Sequence, residues 1–159
     1  MLSVENETIL HASPPRVWTA LTRFDNYGRW SPFIRIDGAL VLDGLVAYSF
    51  RLNSKKRFFT IDARIIAIEP QRQVTVRFGF GWLIGFEESY SLTPVPVGSR
   101  LVHSFRCTGI IASLKRKKMR RNFRQMLEIT DRLFQRHLRP ARPSSSNKRR
   151  VRKGFRPDV

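Results

Sequence analysis

The longest helical pattern in the sequence runs from residue 110 to residue 138 and ends at Arg139-Pro140. Within it, apolar side chains recur at the spacing of a single helix face. The face comprises Met119, Phe123, Met126, Leu127, Thr130, Leu133, Phe134 and Leu138. A continuous helix of this length would be ~40 Å long, at about 1.5 Å per residue, and would cross a whole small domain. The pattern therefore predicts one long amphipathic helix against which the rest of the chain packs.

The residues before this helix show mostly strand-like patterns. A first strand is predicted at 3–11, and two short helical segments follow it. One opens at Ser13-Pro14-Pro15, and the other carries aromatic residues at every third position before Ser31-Pro32 ends it. Six further strands are predicted at 33–40, 45–52, 58–68, 73–80, 86–92 and 101–107. This order predicts an α+β domain over residues 1–139, in which a curved sheet wraps around the long helix.

The positive charge of the chain is concentrated in its last third. The net charge of the 159 residues is +18, and residues 110–159 carry 17 basic and 3 acidic side chains. Residues 140–159 combine prolines, three serines and the basic cluster 148–153 with no apolar period, so we predict a disordered basic tail there. Such a distribution favours an anionic partner, either phospholipid, nucleic acid or an acidic protein.

Several chemical classes lack support in the sequence. Cys107 is the single cysteine, so neither a disulfide framework nor a thiolate zinc cluster is expected. There is no glycine-rich phosphate loop and no pair of histidines at metal-ligand spacing, so we expect no cofactor and no metal. The N-terminus is acidic where a signal peptide is basic, and no apolar run approaches ~20 residues. We therefore expect a soluble, cytoplasmic protein.

Two parts of the sequence carry a family likeness. Residues 13–21, SPPRVWTAL, and the aromatic segment 24–33 resemble the N-terminal signature of the START-like (SRPBCC) superfamily. More narrowly, they resemble its bacterial polyketide cyclase/dehydrase group. Three later segments resemble the last hairpin of that group and its entry into the long helix: 90–94 (YSLTP), 98–105 (GSRLVHSF) and 109–111 (GII). The likeness extends over residues 3–138 and excludes the basic tail.

This resemblance implies a helix-grip fold, in which a seven-stranded antiparallel sheet curls around the C-terminal helix and leaves a deep cavity between them. Relatives bind lipids, sterols, polyketides and other apolar molecules, and a minority catalyse cyclisation or dehydration. The twelve phenylalanines and three tryptophans fit either a dense core or an apolar cavity. Because one fold supports many activities, the resemblance implies an architecture more directly than a reaction.

Polar residues on inward strand positions are candidates for chemistry. Alternation places Glu88, Tyr90 and His103 on the inner face of the last hairpin as close neighbours. A carboxylate beside an imidazole in an apolar pocket can move protons, which makes Glu88 and His103 the candidate catalytic pair. The structural alternative is that these two side chains only hydrogen-bond to each other or to the backbone.

The basic run 115–124 also has two interpretations. Counting from Phe123, Arg116 and Arg120 project toward the apolar side of the helix, near the expected cavity mouth, where they would bind the anionic group of a ligand. Alternatively, both side chains extend along the apolar surface to reach water. The run 115–124 and the cluster 148–153 are also the candidate contacts for an anionic membrane or nucleic acid.

We therefore predict a domain that binds a hydrophobic small molecule or lipid in an internal cavity. The alternatives are a cyclase or dehydratase that uses Glu88 and His103, and a basic module that docks on anionic membrane or nucleic acid. The predicted ligand-binding residues are Trp18, Trp30, Phe59, Ile61, Phe78, Phe86, Tyr90, Phe105, Arg116, Phe123 and Met126.

Overall fold

A computed structural model describes residues 1–51 and 56–139. Its seven strands are β1 (Leu2–Leu10), β2 (Ile34–Asp37), β3 (Leu45–Phe50), β4 (Phe59–Glu69), β5 (Gln73–Phe80), β6 (Ile84–Val95) and β7 (Gly98–Thr108). Helix α1 (Pro14–Thr22) and a 3-10 helix (Phe24–Arg29) follow β1, and α2 (Ile110–Leu114) and α3 (Arg116–Leu138) follow β7. The predicted tail 140–159 with its cluster 148–153, and the last residue of the strand predicted at 45–52, lie outside the described residues.

The strands form one antiparallel sheet in the order β1-β7-β6-β5-β4-β3-β2. Each neighbour is the next strand along the chain, except that β1 pairs with β7. The sheet curls, and α3 lies in its concave face against β1 and β7. This arrangement is the helix-grip fold, so the predicted fold class and the predicted seven strands are confirmed.

Helix α3 holds the sheet through the face that the sequence pattern predicts. Five members of that face are buried, namely Phe123, Leu127, Thr130, Phe134 and Leu138. At the C-terminal end of the helix, Phe134 packs on Trp30 with a ring-centroid distance of 4.5 Å, and Trp30 packs on Tyr27 at the same distance. Tyr27 of the 3-10 helix and Trp30 directly after it therefore close this end of the interior.

The predicted continuous helix over 110–138 is interrupted at Lys115, whose φ and ψ are −110° and 21°. Before the interruption, α2 packs on β6 and β7, and the Ile111 amide donates to the carbonyl oxygen of Leu83 at 3.3 Å. After it, α3 packs mainly on β1. The turn at Lys115 allows α2 and α3 to pack on different strands. The helical pattern of the sequence continues through this turn and therefore does not reveal it.

Strand boundaries differ from the predictions at several turns. The strand predicted at 33–40 covers only Ile34–Asp37, because Gly38 adopts a φ of 136° that ends it. The last hairpin is longer than predicted, since β6 and β7 extend to a tight turn at Val95 and Gly98. In residues 1–51 and 56–139, no helix is long and apolar enough to cross a bilayer.

Candidate functional site

A cavity of about 220 Å³ lies between the sheet and the first half of α3. Nine of its eleven lining residues are apolar, and the remaining two, Tyr48 and Asn122, have polar side-chain groups. The lining comprises Ile34, Tyr48, Phe50, Phe78, Ile84, Phe86, Phe105, Met119, Asn122, Phe123 and Met126. Such a wall provides apolar contact with very few hydrogen-bonding groups, which suits a hydrophobic guest.

The cavity wall is built from aromatic side chains on strands β3, β5, β6 and β7 and on helix α3. Phe78 and Phe86 are register partners on β5 and β6, and their rings stack at 5.2 Å. On the other side of Phe78, the ring of Tyr48 from β3 stacks at 4.1 Å. Phe105 of β7 meets Phe123 of α3 at 4.7 Å. Because alternate residues of a strand face the same side, this inward phase assembles the wall.

Beside the cavity lies a buried cluster of ionisable groups. With both ring nitrogens protonated, His103 donates from Nδ1 to Asp131 Oδ1 at 2.7 Å and from Nε2 to Glu88 Oε1 at 3.0 Å. Glu88 and His103 are 0 % exposed and Asp131 is 2 % exposed. The structure thus brings together the two candidate catalytic residues and adds a second carboxylate to them.

Neighbouring side chains complete the hydrogen bonds of the two carboxylates. The hydroxyls of Tyr48 and Tyr90 donate to Glu88 at 2.7 Å and 3.1 Å, and the amide of Asn6 donates to Asp131 at 2.6 Å. These contacts satisfy the polar atoms that burial would otherwise leave without partners. Tyr48 belongs to both sites, because its ring lines the cavity while its hydroxyl contacts Glu88.

The two carboxylates set the protonation state of His103. Burial by itself would lower its pKa, but the charges and hydrogen bonds of Asp131 and Glu88 outweigh burial and raise the pKa to about 9. His103 is therefore an imidazolium at neutral pH. Burial, and then the charge of Glu88, raise the pKa values of Tyr48 and Tyr90 well above the usual value. Both phenols consequently stay neutral and act as donors.

Five of the predicted ligand-binding residues line the cavity, namely Phe78, Phe86, Phe105, Phe123 and Met126. Tyr90 instead belongs to the buried cluster, where its ring stacks on His103 at 4.1 Å. Trp30 packs in the core against Phe134, and Trp18 of α1 is half-buried at the surface of that core. Alternation along a strand predicts which face of the sheet a side chain lies on, but not its position along that face. Because the cavity occupies only one end of the concave face, some of the predicted residues do not line it.

Three further predicted residues also lie outside the lining. Phe59 begins β4 and is 53 % exposed, Ile61 is half-buried on the same strand, and Arg116 is exposed in the first turn of α3. Arg120, predicted to face the apolar side, is exposed in an outer groove of α3. The sheet does not cover this part of the helix, since Met119 alone is partly buried between 113 and 122. Ligand contacts by these residues remain predictions.

Sequence reasoning missed Tyr48, Asn6 and Asp131. Tyr48 shares the inward phase of β3 with Val46, and Asp131 is an acidic residue on the buried side of α3, so both carried a usable signal. Asn6 carried none, because it contacts Asp131 across 125 residues of sequence. Among the residues that the structure describes, no three His, Cys, Asp or Glu side chains are arranged to hold a metal ion.

The fold and the cavity together define a class: a helix-grip protein whose interior carries an apolar, aromatic-lined cavity beside a buried ion cluster. The family model described as polyketide cyclase / dehydrase and lipid transport matches residues 1–135, and the chain belongs to that family. Comparison with curated protein sequences finds no match.

Solved structures at low sequence identity show the same fold. A Mesorhizobium loti protein is 16 % identical with a TM-score of 0.63, over 84 % of this chain and 97 % of its own. A Rhodobacter sphaeroides protein is 16 % identical with a TM-score of 0.67, over 86 % and 91 %. The di-domain ARO/CYC StfQ from the steffimycin biosynthetic pathway is 15 % identical with a TM-score of 0.69, over 85 % of this chain and 50 % of its own.

Proposed function

We propose that this protein binds a hydrophobic small molecule or lipid in the cavity between the sheet and α3. The observation that carries the proposal is the lining, which offers aromatic and aliphatic side chains and little polar surface. Transfer of apolar surface from water would drive binding, at about 25 cal/mol per Å² buried. Family membership supports the same class of ligand.

The cavity dimensions restrict the ligand. At about 220 Å³ the cavity is smaller than typical small-molecule sites of roughly 300–1,000 Å³. We infer that it takes either a compact apolar molecule or the inner part of a longer one. A longer ligand would leave past Asn122, the exposed member of the lining.

A cavity-filling substitution tests this proposal. Met126→Trp places an indole in the cavity, whereas Ile129→Trp makes a similar change at a half-buried position of α3 outside the lining. We expect native mass spectrometry of protein purified from its host to show a bound apolar molecule in the wild type and in Ile129→Trp, and none in Met126→Trp. Equal occupancy of all three proteins would disprove binding in this cavity.

One observation favours a catalytic function as the second candidate. Tyr48 connects the cavity wall to the hydrogen-bonded chain Glu88–His103–Asp131. A ligand that hydrogen-bonds to the Tyr48 hydroxyl would be coupled to buried acid and base groups, as cyclisation or dehydration requires. In this case Tyr48→Phe would abolish conversion of the co-purified molecule while its binding persists. Unchanged conversion in Tyr48→Phe would exclude this route.

A further inference from the structure

Exposed apolar side chains gather at the end of the sheet where β5 turns into β6. Trp82 is 75 % exposed and Leu114 is 79 % exposed, and Leu83 and Ile110 are exposed as well. The hydrogen bond from the Ile111 amide to Leu83 holds the β5–β6 turn beside α2. Ile110 and Leu114 are four residues apart and share one helix face. Trp82, Leu83, Ile110 and Leu114 thus form one surface, called here the apical patch.

A dense set of cations follows the apical patch directly. It comprises Lys115, Arg116, Lys117, Lys118, Arg120, Arg121 and Arg124. The first turn of α3 contains no acidic residue, and within residues 1–51 and 56–139 none of the seven forms a salt bridge. Positive charge is also unfavourable at a helix N-terminus, where the macrodipole is positive. An anionic partner would therefore relieve an uncompensated charge on this surface.

We propose that this end of the molecule docks on an anionic lipid bilayer. The apical patch would enter the interfacial region, and the cations of 115–124 would contact lipid phosphates. Tryptophan favours the membrane interface because its ring is amphipathic, and aliphatic side chains beside it gain from contact with acyl chains. Basic residues next to such a surface add attraction to anionic headgroups.

The apolar composition of the patch favours a bilayer over nucleic acid. The same cations would suit nucleic-acid phosphates, but single-stranded bases stack on aromatic rings. Three of the four patch residues are aliphatic, namely Leu83, Ile110 and Leu114, and these provide no stacking surface. Acyl chains accept such side chains readily.

The apical patch borders the cavity. Ile84 follows Leu83 in the chain and Met119 lies one turn after Lys115, and both line the cavity. Docking would thus bring the cavity close to the bilayer. The docking proposal does not rest on the proposed function, because vesicle binding is measured without any cavity ligand and is expected to persist in Met126→Trp.

Vesicle co-sedimentation of the full chain tests the docking surface. We expect binding to vesicles of phosphatidylcholine mixed with phosphatidylserine, and little binding to phosphatidylcholine alone. The double variant Trp82→Ser/Leu114→Ser should bind at least about tenfold more weakly, because two large apolar groups no longer enter the interface. The control Leu42→Ser/Leu45→Ser alters two exposed leucines near the β2–β3 turn and should bind like the wild type.

The cations are tested with a second matched pair. Lys117→Gln/Lys118→Gln should weaken binding by about fivefold for each charge removed. Arg132→Gln/Arg136→Gln removes two exposed charges from the distant half of α3 and should have a much smaller effect. All substituted side chains are exposed, so the far-ultraviolet circular dichroism of each variant should match that of the wild type.

Depth of insertion gives the decisive readout. Lipids brominated in their acyl chains should quench tryptophan fluorescence of the wild type, and Trp82→Phe should bind vesicles without this quenching. Quenching that persists in Trp82→Phe, or unchanged binding of Trp82→Ser/Leu114→Ser, would overturn the proposal. So would absence of vesicle binding combined with oligonucleotide binding that requires Lys117 and Lys118, since the basic face would then serve nucleic acid.

Discussion

At the scale of single residues, three buried ionisable side chains dominate the interior. Glu88, His103 and Asp131 lie on β6, β7 and α3, so their hydrogen bonds tie the helix to the sheet. Removing charged groups from water is costly, and the cluster is maintained because every carboxylate oxygen and both ring nitrogens have partners. The cluster therefore acts as one unit, because loss of any member leaves at least one remaining buried charge without one of its hydrogen-bond partners.

The raised pKa of His103 predicts a pH dependence of stability. Its pKa is about 9 in the folded protein and 6.5 as the ordinary value, so the folded state binds more protons between these values. The contribution of the His103 imidazolium to the free energy of unfolding is complete below pH 6.5 and is lost as the pH rises through 9. We expect urea unfolding to show a loss of about 3 kcal/mol across this window.

A matched pair of histidine variants isolates that effect. In His103→Gln, most of the decrease in the free energy of unfolding between pH 6.5 and pH 9 should disappear. His137→Gln changes an exposed histidine, so this variant should show the same decrease as the wild type. An identical pH profile for the wild type and His103→Gln would show that another group titrates in this window.

Removal of Asp131 tests the cluster as a unit. Asp131→Ala deprives the His103 imidazolium of one carboxylate and leaves the amide of Asn6 with only the Thr8 hydroxyl, at 3.3 Å, as an acceptor. We expect the free energy of unfolding to fall by about 3–5 kcal/mol, as for other broken buried ion pairs. Glu128→Ala, which changes an exposed acidic residue of the same helix, should cost roughly 0.5 kcal/mol or less. Equal effects in denaturant titrations would contradict a stabilising cluster.

At the scale of elements, the junction between β7 and α2 sets the position of the C-terminal helices. Gly109 has a φ of 95°, which disfavours side chains, and the backbone of Leu83 lies against it. This close approach allows the Ile111 amide to donate a hydrogen bond to Leu83. The turn at Lys115, four residues later, then redirects the chain into α3. One glycine thus permits a contact between two segments far apart in sequence.

Alanine substitution of two glycines separates strain from contact. A Cβ at Gly109 would lie 2.5 Å from the Leu83 carbonyl oxygen, whereas a Cβ at Gly81, with a φ of 51°, meets nothing within 4 Å. We expect Gly81→Ala to lower the free energy of unfolding by about 1 kcal/mol and Gly109→Ala by about 3 kcal/mol. Thermal denaturation measures both, and equal losses would mean that contact with Leu83 is unimportant.

At the scale of the whole molecule, one curled sheet encloses two different interiors. The aromatic cavity faces the first half of α3, and the ion cluster faces the second half near Asp131. Tyr48 lies at the boundary between them. Since the cavity is not needed to satisfy the cluster, the proposed guest, if it is purely apolar, would enter the first interior without disturbing the second.

This separation predicts stabilisation by an apolar probe. Naphthalene has no charge and no hydrogen-bonding group, so it can bind only through apolar contact. We expect it to bind the cavity and to raise the midpoint of thermal unfolding. At a hundredfold excess over its Kd, the gain would be about 2.7 kcal/mol. The same addition should not stabilise Met126→Trp, whose indole fills the cavity, but should stabilise Ile129→Trp. A shift of equal size in all three proteins would place the probe elsewhere.

The sequence by itself determined the fold class, the order of the elements, the inward phase of Glu88, Tyr90 and His103, and the concentration of charge after residue 110. The order of the elements, the α+β class and the inward faces follow from local periodicity, because residues that share a strand or helix face are two, three or four apart. The charge distribution follows from composition, and the resemblance to a known family implied the helix-grip arrangement. The tertiary structure alone decided where along the concave face the cavity lies, and that Leu83 of the β5–β6 turn meets α2. It also decided that Asp131 joins His103, since such contacts depend on how distant segments pack rather than on the pattern within either one.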